Sequence, residues 1–198
     1  MAAPMTADQM LRVLRNEDLV IEETRDWRHH NRNHKGPFNN VNGVMIHHTV
    51  TSDTKNTVNL CYNGRPDLPG PLCHGVIGKD GVVYMVGNGR TNHAGPGDDD
   101  VLRAVIDERP LPPDNEQNTD GNARFYGFEC ENLGDGIDPW PEKQLEAIEK
   151  AAAAICRAYG WHAGSVIGHL EWQPGKIDPK GFTMESMRAR VARRLAAT

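Results

Sequence analysis

The sequence predicts a single α/β domain: a central mixed β-sheet flanked by helices. Three observations carry that expectation. Short apolar, β-branched runs, GVMIHHTV (43–50), HGVIGKDGVVYMVG (74–87), FYGFECENLG (125–134) and SVIGH (165–169), alternate along the chain with helical stripes. A length of 198 residues suits one domain, which at that size buries roughly 70% of the surface its unfolded chain exposes. No linker, internal repeat or low-complexity tract divides it.

The elements follow in order. Thr6 and Gln9 form a capping box ahead of a helical stripe of Met10, Leu11, Val13 and Leu14. Residues 25–42 mix Asn, His, Arg, Gly and Pro without period and read as an irregular connection. Residues 1–40 are therefore expected to be an N-terminal helix and extension packed on a domain spanning 41–198. After the strand at 43–50, a helix begins near Asp53 and stops before Gly64, followed by the RPDLPGP loop. Two apolar runs around Lys79-Asp80-Gly81 predict a hairpin. Asp98 to Asp100 start an amphipathic helix bearing Val101, Leu102, Val105 and Ile106, its acids solvated at the positive N-terminal end. ERPLPPDNEQNTDGNA (108–123) is a polar loop of a length more often functional than idle. Residues 141–160 give the clearest helix. Pro141 sits in the first turn, Leu145, Ile148, Ala152, Ile155 and Cys156 share a face, and Gly160 closes it. Thr183 to Ala196 form a last helix with an arginine-rich outer face.

Composition removes several classes of function. With 27 acids against 22 Lys and Arg the net charge is −5, which lacks the basic footprint of a general nucleic-acid binder. No run approaches 18 apolar residues, so no membrane insertion is expected. The start, MAAPMTADQM, has neither a basic nor an apolar signal region, so synthesis in a cytoplasm is expected. Cys61, Cys73, Cys130 and Cys156 have no C-x-x-C spacing and read as small buried hydrophobes, without disulfides. A monomer is expected.

Histidine is the unusual component, nine in 198 residues. His47-His48 closes the first strand and His169 the last, and a Pro-Gly turn then re-presents Lys176 and Asp178 near the same sheet edge. Alternation along 43–50 puts Val44, Ile46 and His48 on one face and Met45 and His47 on the other. One histidine of the pair therefore faces a site, and parity leaves open which. Two histidines and a carboxylate with one position open have the form of a catalytic zinc site. Other metal readings are weaker: His30 and His34 lie in a loop, and Asp98 to Asp100 lack the spacing of a calcium loop.

IHHT, NHAG, YGFECEN and GHLEWQPGKIDP occur in this order over about residues 40–195. In these motifs the chain resembles the zinc N-acetylmuramoyl-L-alanine amidases of type 2, which share their fold with peptidoglycan recognition proteins and occur in many phage endolysins. The resemblance implies Zn2+ on His47, His169 and Asp178. It implies that Lys176 stands beside the scissile carbonyl, where a cation stabilises the oxyanion, an effect of about 3 kcal/mol. Some members activate water with a tyrosine at the position of Cys73. Others use a glutamate in a G-[IV]-E strand motif, which Glu129 fits, so Glu129 is the implied general base. His93 and Asn92 match the wall of the substrate groove.

The implied reaction is hydrolysis of the amide joining N-acetylmuramic acid to L-alanine in bacterial peptidoglycan. The implied setting is a phage endolysin held in the host cytoplasm before lysis. A cytosolic muropeptide-recycling amidase and a non-catalytic peptidoglycan-recognition module are the alternatives, although the latter typically lacks the third ligand. A glycosidase built on Glu129 and Glu131 fits poorly, because residues two apart on one strand face lie about 7 Å apart and flank a glycosidic bond badly.

Overall fold

The computed structural model describes residues 2–197. Its centre is a six-stranded sheet of β1 (Ile21–Glu23), β2 (Gly43–His48), β3 (Gly75–Ile77), β4 (Val83–Met85), β5 (Phe125–Cys130) and β6 (Val166–Gly168). The spatial order is β1-β4-β3-β5-β2-β6. β3 and β4 form the expected antiparallel hairpin, and every other neighbouring pair is parallel. Parallel strands are covered on both faces, and all six residues of β2 are buried.

One face carries Val44, Ile46, Ile77, Tyr126 and Phe128 into the main core, against α1 (Ala7–Arg15), α4 (Glu142–Tyr159) and α5 (Met184–Ala196). The opposite face divides its cover. Met45, Phe125 and Ile167 pack with Trp172 and with Val101, Leu102 and Val105 of α3 (Asp99–Ile106). Val76 packs with Val58 and Cys61 of α2 (Thr54–Asn63). Between these two clusters lie the ends of β2 and β5, whose His47, His48 and Glu129 line the cleft.

The helix ends follow the local chemistry read from the chain. Thr6 and Gln9 make the full capping box of α1, Asp53 caps α2, Thr183 caps α5 and Gly160 closes α4 in the left-handed conformation. Pro141 stands just outside α4 as its N-cap. All four cysteines are free and buried.

Four details depart from the sequence reading. β1 was not anticipated; its three residues, two of them acidic, pair at the sheet edge with Val83–Met85. The 64–70 loop contains a two-residue ribbon, Gly64–Arg65 against Leu68–Pro69. Asp98 is not solvated but completely buried. The arginines of α5 are not a free outer face either: Arg190 and Arg194 both bond Glu149 of α4. The N-terminal extension is tied down by hydroxyls, with Tyr126 Oη accepting from Met5 N at 2.7 Å and Tyr159 Oη donating to Ala3 O at 2.7 Å. No helix among the described residues is long and apolar enough to cross a membrane.

Candidate metal centre and active-site cleft

The parallel pairing of β2 with β5 sets His47 opposite Glu129, and the pairing of β2 with β6 sets Ile46 opposite Gly168. Partners in register point to the same face, so His47, Glu129 and the start of the chain after β6 converge. His48 points the other way, where its Nδ1 accepts from Lys180 N at 3.0 Å. The segment after β6 returns at once: Leu170 N donates to Asp178 O at 2.8 Å, closing a loop that carries both His169 and Asp178.

Three donor atoms meet at the strand ends. His47 Nδ1 lies 3.1 Å from His169 Nδ1 and 2.9 Å from Asp178 Oδ2, and His169 Nδ1 lies 3.2 Å from Asp178 Oδ2. The far nitrogens of both rings decide what those near atoms are. His93 Nε2 faces the carbonyl of Phe125 at 3.0 Å and must carry its proton. His93 Nδ1 is then an acceptor, so His47 Nε2, 2.9 Å away, must donate to it. His47 Nδ1 is thereby left as a bare lone pair. His169 Nε2 faces Ala94 O at 3.1 Å and Gln173 Oε1 at 3.2 Å, both acceptors, which leaves His169 Nδ1 bare as well. Two neutral imidazole lone pairs and a carboxylate oxygen thus converge with no proton of their own to share.

That arrangement calls for a cation. Tetrahedral zinc with bonds of about 2.0–2.1 Å has ligand-to-ligand edges of about 3.3 Å, close to the observed 2.9–3.2 Å. The donor set of two imidazoles and one carboxylate suits the same ion, and the backing of each imidazole by a hydrogen-bonded partner is what a metal site requires. Protonation states agree. Burial holds His47 down at about 4 despite Asp178, and burial with neighbouring His47 and His74 holds His93 well below its ordinary value.

Glu129 stands at the edge of this triangle, its Oε1 3.9 Å from His47 Nδ1 and its side chain 16% exposed. Burial, with the neighbouring Cys61 and Asp178, pushes its carboxyl well above the usual carboxylate range, against the pull of Lys176. Lys176 is exposed and lines the same cleft of about 580 Å3. Asn92 lines it too, while its Nδ2 donates to Pro69 O at 3.0 Å. His93 borders the cleft, but both its ring nitrogens are engaged, with His47 and Phe125. Glu131 is separate: it accepts from Thr54 Oγ1 at 2.6 Å and from Lys79 N at 3.1 Å, tying a turn together.

Gln173 and Gly127 were not singled out in the sequence. Gln173 gave no signal. Gly127 did, as a glycine inside a strand often marks a close approach: a Cβ there would lie 2.4 Å from His93 Nδ1.

The profile of the family described as N-acetylmuramoyl-L-alanine amidase matches residues 37–181. No curated protein matches. Among solved structures, the chain is similar to the endolysin N-acetylmuramoyl-L-alanine amidase LysCS of Clostridium intestinale (TM-score 0.56, 18% identity, 86% of this chain and 94% of that one). It is similar to AmpD (TM-score 0.54, 17% identity, 87% and 94%). It is also similar to a Drosophila PGRP-LB variant in complex with tracheal cytotoxin (TM-score 0.50, 16% identity, 89% and 93%). The central mixed sheet flanked by helices is the fold of these proteins.

Proposed function

The chain belongs to the N-acetylmuramoyl-L-alanine amidase family, and from that premise we propose that it hydrolyses the amide between N-acetylmuramic acid and L-alanine in bacterial peptidoglycan, using zinc held by His47, His169 and Asp178. The convergence of the His47, His169 and Asp178 donor atoms beside the half-buried carboxyl of Glu129 in one cleft carries this reading. Bound there, zinc supplies Lewis-acid polarisation of the scissile carbonyl and acidifies water.

The protein's own groups perform the rest. Glu129, raised in pKa by burial, accepts the proton of the attacking water and returns it to the departing alanyl nitrogen. Lys176 places an exposed ammonium on the same cleft, suited to the negative charge that develops on the carbonyl oxygen. His93 and Gln173 act through the ligands, fixing the tautomers of His47 and His169. His93 is thus assigned to positioning a ligand rather than to holding substrate. Asn92 keeps a substrate-facing role on the cleft wall.

The biological setting we propose is lysis of the bacterial wall, as for the endolysin whose fold the chain shares, with the protein held in the host cytoplasm until then. Mass spectrometry of purified peptidoglycan digested by the zinc-loaded protein tests the chemistry. Free stem peptides beginning with L-alanine, absent when a chelator is present, are expected. New reducing sugar ends would mean a glycosidase, and wall that is bound but left intact would mean a recognition module. Cleavage of soluble muropeptides alone would move the role to recycling. Glu129→Ala should keep stoichiometric zinc and lose at least a hundredfold in kcat, whereas Asp178→Ala should lose the metal.

A further inference from the structure

Val50 combines two unfavourable features at the edge of the catalytic cleft. Its backbone lies in the left-handed region at φ 53°, and its side chain is 67% exposed. A β-branched residue tolerates that backbone worst of all, so its presence is a genuine outlier. Among the described residues, the other non-glycine residues at positive φ are Asp18, Arg25, Asp53 and Glu108, all polar and none β-branched. The conformation is imposed from both sides. Thr49 Oγ1 accepts from Asn132 N at 3.3 Å, Thr51 N donates to Asn132 O at 3.3 Å, and Thr51 Oγ1 bonds Thr57 Oγ1 at 2.6 Å. Glycine or asparagine would satisfy the same turn without strain and without exposing an apolar side chain.

The strained residue does not stand alone. Ile177, 61% exposed between Lys176 and Asp178, lines the same cleft, as do Leu68, 37% exposed, and Leu72. Single exposed apolar residues mean little, but here three of them, Val50, Ile177 and Leu68, line one cleft together with the buried Leu72 and the metal donors.

We propose that Val50, with Ile177, Leu68 and Leu72, forms an apolar collar for the methyl groups flanking the scissile amide, and that Val50 sets the preference for alanine after that bond. The inference rests on the amidase reading above. With the carbonyl at the donor triangle, covalent geometry keeps the lactyl and alanyl methyl groups within a few ångströms of it, beside the cleft wall. An alanyl methyl seated there contributes to transition-state binding, and a glycyl residue forgoes it.

The test compares wild type and Val50→Gly on muramyl peptides beginning with L-alanine or with glycine, reading kcat/KM and Tm. Wild type should favour alanine by about tenfold, the scale of one well-seated methyl group. In Val50→Gly that ratio should fall to about twofold or less. Val50→Asn, which tolerates the left-handed backbone, should be at least as thermostable as wild type and show the same loss of preference. An unchanged ratio in a folded variant overturns the collar while leaving the amidase intact, as does a wild type that cuts both peptides equally. A lower Tm for Val50→Asn overturns the strain argument. If wild type cuts neither peptide, the amidase reading falls and the collar with it.

Discussion

A Cβ placed on Gly127 would lie 2.4 Å from Nδ1 and 2.5 Å from Cγ of His93, so the histidine reaches His47 only because that strand position has no side chain. Gly127→Ala should therefore destabilise by roughly 1–3 kcal/mol, as overpacking of a rigid core does. It should also weaken zinc, which denaturant titration and metal competition can measure separately. His93→Ala removes the acceptor that holds the His47 tautomer, and partners of this kind typically contribute 10- to 100-fold in metal affinity. The expected result is a folded protein with metal affinity reduced by that factor. At this scale the sequence is half legible. Parity along β2 restricts the inward histidine to one of His47 and His48, and the parallel register with Glu129 identifies it as His47. Pairwise spacing cannot show the contact of His93 with His47, 46 residues apart, because neither strand alternation nor helical period relates them.

Among the elements, the 108–123 loop is held at its far end by a two-residue ribbon, Thr119–Asp120 against Pro96–Gly97, and in its middle by the Asp98 side chain. Asp98 Oδ1 accepts from Asp100 N at the start of α3, while Oδ2 accepts from Asn115 N at 2.8 Å and Glu116 N at 3.1 Å. Burial opposes its ionisation, but the amides of Asn115, Asp100 and Glu116 prevail and hold the carboxyl below its ordinary value. A depressed carboxyl contributes stability that is complete above its unfolded pKa, near 4, and is lost as pH falls through the lower folded value. Asp98→Asn should therefore flatten the acid limb of a stability-against-pH curve below about pH 4. At neutral pH it should cost about 1–3 kcal/mol, as an under-satisfied buried group does. Helices with caps were readable because their signals are local. β1 was not, because an edge strand of three residues is defined by its neighbour β4 rather than by any period of its own. The burial of Asp98 was hidden for a similar reason: an acid before a helix looks solvated until a loop from 17 residues on closes over it.

For the whole molecule, the unprotonated donor triangle predicts that zinc is a structural asset as well as a reagent. A ligand that binds only the folded state stabilises it by about 2.7 kcal/mol at a hundredfold excess over its Kd. For a domain of this size that corresponds to roughly 5–10 °C in Tm. Thermal unfolding with and without chelator should show that difference in wild type and none in Asp178→Ala. The back of the molecule should be indifferent to the metal, since the ion pairs of Glu149 with Arg190 and Arg194 join α4 to α5 on the opposite side of the sheet.

The closed loop that carries His169 and Asp178 has a further consequence in time. His47 is 122 residues from one partner and 131 from the other. A zinc finger grips its ion within one short stretch, but here no local segment holds all three donors. A chain emerging from the ribosome has no complete site until Asp178 is out and β6 has docked beside β2. Metal capture therefore comes at the end of folding, as a latch on the finished sheet rather than a nucleus for it, and zinc should slow unfolding far more than it speeds folding.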